Sequence, residues 1–129
     1  MAARRHVTTG SEWEPIVGYS RAVRVGNTVA VAGTTAAGPD GVVGPGDLAA
    51  QTRQCLTTIE AALAEVGAKL SDVVRTRMYV TDITRWEDAG RVHGEVFGTV
   101  RPASTMVEVS KLIGPEYLIE IEADAVVEK

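Results

Sequence analysis

Glu120 and Glu122 lie two apart in a run that alternates apolar and acidic residues, so as a β-strand it turns both carboxylates to one face. A carboxylate sheltered on such a face acquires a raised pKa and can handle protons near neutrality, which is general acid–base chemistry. Glu108 falls in another strand-like run and is read as the partner of an arginine. From spacing alone, each of the three is structural more often than catalytic. Other chemistries are poorly supplied. His6 and His93 are the only histidines and Cys55 the only thiol, with no C-x-x-C or H-x-x-x-H, so four zinc ligands at recognisable spacing are missing and no metal is expected. His6 belongs to a terminal segment read as loose, and His93 to a helix of mixed residues. Cys55 sits on an apolar helical stripe, where a thiol is a small core group. Neither a Ser-His-Asp nor a Cys-His arrangement assembles. Trp13 reads as an anchor of the N-terminal segment and Trp86 as core of a helix. Aromatic residues total 5%, too few for a stacking platform that holds single-stranded nucleic acid.

The elements that must position these residues are legible in outline. Tyr19–Val25 and Thr28–Thr34 are β-rich runs around Gly26-Asn27, a hairpin signal. A loop at Gly38–Gly46 holds four Gly and two Pro in nine residues. No Gly-Lys-Ser/Thr follows it and the prolines remove amide donors, so a plain loop is a better reading than a phosphate cradle. Asp47 caps a helix whose apolar positions Leu48, Cys55, Leu56, Ile59, Ala62, Leu63 and Val66 recur at helical spacing up to Gly67. Val73–Val80 is a strand. Thr84-Arg85-Trp86-Glu87 matches a capping box that opens a second helix, carrying Trp86, Ala89, Val96 and Phe97 and ending at Gly98. Ser104–Val109 and Ile119–Val127 are the last strands, connected across Gly114-Pro115. The order ββ-α-β-α-ββ describes a two-layer α+β domain with both helices on one face of the sheet.

The second face then carries Glu120, Glu122 and Asp124 beside Arg75, Arg77 and Tyr79, while Val74, Thr76, Met78 and Val80 turn inward. A solvated face of weak ion pairs, each worth at most about 1 kcal/mol, is one reading. A subunit interface is the other, favoured by Val29, Val31, Val107 and Val109 interleaved on that face.

The 129 residues suit a single domain over 1–129. Hydrophobic residues at 45% and charged residues at 23% are a globular composition. A formal charge of −4 argues against a general nucleic-acid binder. No apolar stretch approaches the roughly 20 residues of a membrane span, and the start lacks a hydrophobic signal core, so a soluble cytoplasmic protein is expected.

Several segments in register resemble the Rid family of reactive-intermediate deaminases, the YjgF-like proteins also labelled translation inhibitors or endoribonucleases. They are Gly18-Tyr19-Ser20, Asp72-Val73-Val74-Arg75, Arg77–Ile83, Arg101–Val109 and Ile119–Ala123, and the similarity runs from about Tyr19 to Val127. The resemblance implies a chorismate-mutase-like fold in a homotrimer, with sheets packed around the trimer axis and a small-molecule cleft between each pair of subunits. It also implies hydrolysis of imines and enamines derived from amino acids, such as 2-aminoacrylate, to a keto acid and ammonia without metal or organic cofactor.

By the same resemblance, Tyr19 lines the cleft, Glu120 positions the attacking water and the Met106 carbonyl contributes a polar edge. The family run Ala-Arg-Ser-x-Val-Glu-Val is here Ala103-Ser104-Thr105-Met106-Val107-Glu108-Val109, so Ser104 stands where an arginine clamps the substrate carboxylate. The serine of a Ser-Gly pair is likewise Ala32, ahead of Gly33. A guanidinium offers a fixed bidentate fork, whereas a hydroxyl offers one neutral hydrogen bond. Losing that pair in a sheltered cleft costs about 2–5 kcal/mol of binding. At roughly 1.4 kcal/mol per decade this is tens-fold to thousands-fold in affinity. Arg101 lies three residues away, but Pro102 intervenes and the odd spacing aims it elsewhere in an extended chain. Arg75 and Arg77 are the other candidates, or else they pair with Glu120 and Glu122.

Three functions follow. The first is an imine or enamine hydrolase with little activity on standard 2-iminopropionate, using Glu120 on water and Tyr19, Gly33, Ser104, Thr105, Met106 and Arg101 around the substrate. The second is a non-catalytic trimeric small-molecule binder. The third, an endoribonuclease or translation inhibitor, is the weakest given the charge and the few aromatic residues.

Overall fold

A computed structural model describes residues 3–128. Eight strands and three α-helices form it: β1 (Arg4–Val7), α1 (Trp13–Val17), β2 (Ala22–Val25), β3 (Thr28–Thr34), β4 (Ala37–Gly38), β5 (Gly41–Val42), α2 (Leu48–Glu65), β6 (Val73–Val80), α3 (Trp86–Phe97), β7 (Ala103–Glu108) and β8 (Ile119–Val126). Six strands make one mixed sheet in the order β1-β2-β3-β8-β6-β7. All its pairings are antiparallel except β6 with β7, the two strands joined through α3. The α+β order read from the sequence holds for the main elements, and α2 and α3 cover one face.

The helix α2 begins where expected. The Asp47 carboxylate accepts from the Ala50 N–H at 3.0 Å, satisfying one of the free amides of the first turn. Its inward stripe, including Leu48, Cys55, Leu56, Ile59 and Leu63, is buried against β3 and β8. At the far end Gly67 takes a φ of +76°, which a side chain resists. The last carbonyls accept from cations: Arg24 Nη1 donates to Val66 O at 2.6 Å and Arg5 Nη2 to Glu65 O at 3.3 Å.

Strand alternation sorts β8 as anticipated, with Ile119, Ile121, Ala123 and Ala125 buried and Glu120, Glu122 and Asp124 half-buried on the other side. Elsewhere the structure corrects the reading. Val29 and Val31 belong to the core, not to the open face. A register shift between Val73 and Arg75 puts Val73 inside and turns Val74 outward. On the open side, the interleaved valines therefore reduce to the exposed Val107 beside half-buried Val109.

The N-terminal segment is also more ordered than its composition suggests. Arg4–Val7 pairs antiparallel with Ala22–Val25, and His6 Nδ1 lies 2.8 Å from Ser20 Oγ, so His6 sits in the sheet. Trp13 does not anchor this segment, for its ring is exposed on the short α1. The strand expected from Tyr19 starts only at Ala22. The glycine-rich loop folds back as the small β4–β5 hairpin.

Asp82, not Thr84, caps the segment leading into α3. Its carboxylate accepts from Thr84 N at 3.0 Å and from Thr84 Oγ1 at 2.6 Å, which engages the hydroxyl a capping box would need. A single 3₁₀ turn follows before α3 begins at Trp86. Trp86 is 53% exposed, and the buried positions of α3 are Ala89, Val92 and Phe97. Among the described residues no helix is long and apolar enough to cross a membrane.

Candidate functional site

The antiparallel register places Glu120 of β8 opposite Tyr79 of β6 on the open face of the sheet. Glu120 bends over the backbone of β3, where the β3–β8 register shifts between Val31 and Thr34. A Cβ added at Gly33 would overlap Glu120 Oε2. Gly33 is thus the position whose missing side chain makes room for this carboxyl group.

Arg21 completes the cluster. Its Nη2 donates to the Gly33 carbonyl, and its Nε is buried without a hydrogen-bond partner. Burial raises the Glu120 pKa above the usual glutamate range, the nearby Arg21 charge pulls it partly back, and Glu122 adds a small upward push. Arg21 carried no sequence signal, since it precedes β2 in a run read as ordinary strand; its role comes from meeting Gly33 across the hairpin.

Glu122 and Asp124 do different work. Arg77 Nη1 is 3.2 Å from Asp124 Oδ2 and 3.6 Å from Glu122 Oε1. Tyr79 Oη donates to Glu122 Oε1 at 2.8 Å, and that bond to a carboxylate is the main cause of the raised Tyr79 pKa. Arg77 is therefore committed to Glu122 and Asp124. Among the described residues Glu108 pairs with no arginine: its Oε1 accepts the Ile83 N–H at 3.0 Å. A cavity of about 920 Å³ opens on the same face, with Tyr19, Ala32, Arg77, Glu122 and Asp124 among its walls.

Ser104 points the other way. It pairs in register with Thr76, an inward residue of β6, and Thr76 Oγ1 lies 2.8 Å from Ser104 Oγ and 2.8 Å from His93 Nε2 of α3. Thr105 pairs with Arg77 and shares the open face. Within one protomer, Ser104 and Glu120 thus lie on opposite faces of the sheet and do not meet. β7 is an edge strand. The Val109 N–H bonds to Val80 O at 2.8 Å, and alternation along the strand then directs the Met106 carbonyl to the unpaired edge. The Met106 side chain packs against the core.

Arg101 is exposed and is the only non-glycine among the described residues with positive φ, +54°. Such a backbone costs a non-glycine roughly 1–2 kcal/mol. Its N–H bonds to Phe97 O at 2.8 Å, closing the end of α3. Cys55 is buried in the core, and burial pushes its thiol up to about 12, away from the reactive thiolate form.

A mixed sheet covered on one face by two helices, with a desolvated glutamate over a strand glycine, defines the class of this protein, and comparison with known proteins agrees. The family model described as Endoribonuclease L-PSP matches residues 9–127. A RutC family protein of Pyrococcus abyssi is 39% identical over 124 residues, covering 95% of this chain and 97% of the relative. The 3-aminoacrylate deaminase RutC of Acinetobacter baylyi is 36% identical over 112 residues, covering 86% and 88%. A crystal structure from Mycobacterium tuberculosis, of a YjgF/YER057c/UK114 family member, is 57% identical and superposes with a TM-score of 0.88, covering 97% of this chain and 100% of that one. The chain belongs to the Rid (YjgF-like) family and has its chorismate-mutase-like fold.

Proposed function

We propose that this protein is a cytoplasmic homotrimeric hydrolase of an imine or enamine, with its clefts between protomers and Glu120 handling the proton of the attacking water. The observation that carries this reading is the Glu120 carboxyl group, half-buried over Gly33 with a raised pKa. As water adds to the C=N carbon, Glu120 accepts its proton. The carboxyl passes that proton to the nitrogen of the carbinolamine formed from the protonated imine; as the C–N bond breaks and ammonia leaves, the hydroxyl proton goes back to the carboxylate and the C=O bond forms. The two-protomer cleft is supported by the placement of Ser104 and Glu120, which can act on one molecule only if an edge strand of one subunit meets the open face of another. Tyr19, Gly33 and Thr105 lie on the Glu120 side of this arrangement, and Ser104, the Met106 carbonyl and Arg101 on the side that a neighbour supplies. The deaminase name of the Acinetobacter relative supports the reaction class.

An RNA-directed activity fits less well, because Glu120, Glu122 and Asp124 on the open face and a net charge of −4 oppose a polyphosphate chain. A binding protein without catalysis is the second reading, favoured by the uncharged Ser104 at the clamp position.

The test generates 2-iminopropionate in situ with an amino-acid oxidase and follows its disappearance. Little or no acceleration is expected, and full deaminase activity overturns the argument built on Ser104. A wider series of imines and enamines is then compared between the wild type and Glu120→Gln. Hydrolysis that the variant loses by about 10²-fold or more supports the reaction. A ligand that raises the melting temperature and is recovered unchanged, with no imine hydrolysed, supports the binder.

A further inference from the structure

Ser104, Thr76 and His93 come from β7, β6 and α3 and form one chain of hydroxyl, hydroxyl and imidazole, each link 2.8 Å long. Thr76 is fully buried and His93 half-buried, its ring against Phe97 at a centroid distance of 4.7 Å. Ser104 is the most exposed of the three. A buried hydroxyl costs stability unless it is paired, and Thr76 is held by these two partners. The chain is therefore a built feature that ends at the protein surface, on the strand whose outer edge is unpaired.

The proton count decides what that end can do. Burial lowers the His93 pKa and so favours the neutral ring, which has one N–H. If Nε2 carries the hydrogen, it donates to Thr76, Thr76 donates to Ser104, and the Ser104 hydroxyl hydrogen points outward. If Nε2 is bare, Ser104 donates to Thr76, Thr76 donates to Nε2, and the Ser104 lone pairs point outward. The terminus thus serves as donor or acceptor without any charge appearing. Such a partner suits a carboxamide, hydroxyl or carbonyl, and it offers a carboxylate little return for the water it must give up.

We propose that Ser104, Thr76 and His93 are one recognition element for an uncharged polar end of the ligand, so that the protein selects neutral substrates over carboxylates. Ser104 is the contact, and Thr76 and His93 are positioning residues that orient its hydroxyl. The proposal rests on the cleft reading above, in which Ser104 of one protomer faces the Glu120 side of another.

Pyruvate and pyruvamide test it, because they differ only in carboxylate against carboxamide and neither is an imine. Equilibrium binding to the full-length protein is measured by titration calorimetry. Pyruvamide is expected to bind the wild type about tenfold or more tightly than pyruvate, which corresponds to about 1.4 kcal/mol. Thr76→Val keeps the shape and removes the link, so the preference falls to within about twofold; Thr76→Ser restores the hydroxyl and the preference. Ser104→Arg reverses it. The proposal is overturned if the wild type prefers pyruvate, fails to bind pyruvamide, or keeps its preference in Thr76→Val. The ketones are bound without hydrolysis. No hydrolysis across the whole series of imines and enamines, with the pyruvamide preference intact, thus sinks the hydrolase reading alone, and a pyruvate preference with hydrolysis intact sinks this proposal alone.

Discussion

Glu120 and Gly33 act as a pair, and each predicts the behaviour of the other. The φ of Gly33 is not positive, so Gly33→Ala suits the backbone, and the new Cβ meets the flexible tip of Glu120 rather than packed main chain. Folding stability is expected to change by less than about 1 kcal/mol, while the displaced carboxyl group costs most of the activity. Matched thermal melts and turnover measurements check this; a large drop in melting temperature would show that Gly33 serves packing instead. Glu120→Gln reports on pH. The folded pKa is raised, so the carboxylate form is penalised by folding and wild-type stability declines as pH rises from the unfolded value through the folded one. The glutamine variant has no such loss. It should melt higher than wild type at neutral pH and equal to it in acid, where the wild-type Glu120 carboxyl is protonated in both folded and unfolded chains, as a pH series of melts would reveal. These are residue effects that sequence could only half anticipate. A strand glutamate was visible; its desolvation by β3 and its arginine neighbour Arg21 were not, because the first arises from the β3–β8 pairing and the second from the β2–β3 hairpin.

At the scale of elements, the start of α2 and the approach to β8 depend on Gln51. This fully buried side chain donates to Gly44 O at 3.2 Å and Glu116 O at 3.1 Å and accepts from Leu118 N at 2.8 Å. It therefore ties the glycine-rich loop and the segment before β8 to the helix. Gln51→Leu leaves the Leu118 N–H and the Glu116 carbonyl short of partners, while the Gly44 carbonyl keeps the Asp47 N–H, a loss of about 2–4 kcal/mol. Calorimetry should show a fall of roughly 10 °C, and a variant that melts within a degree or two of wild type would mean water replaces the glutamine. Element type was legible where local chemistry is self-sufficient, as in the Asp47 cap and the apolar spacing of α2. It failed where a neighbour decides. Arg4–Val7 lacks a strand's usual composition and is a strand because β2 offers it an edge. Trp86 fits an apolar helix face on paper, yet it falls at the first position of α3, after the Asp82 turn has set the helix phase.

For the whole molecule, the open sheet face is where protomers are proposed to meet. Arg77 there joins Asp124, Glu122 and, through Glu122, Tyr79. Arg77→Glu puts a third acid beside two others, and burying such a cluster in an interface costs several kcal/mol. Sedimentation is expected to show the wild type at three times the chain mass and this variant largely monomeric; a wild-type monomer would remove the shared cleft. The sequence by itself determined the two-layer plan, the family and the serine at position 104, because these rest on periodicity and residue identity along the chain. Only the tertiary structure decided that Ser104 turns inward to Thr76 and His93, that Val29 and Val31 are core, and that Arg21 stands by Glu120. Those facts depend on strand order, register and two irregularities in pairing, and one residue of slip in a β-ladder reverses the face of every side chain beyond it.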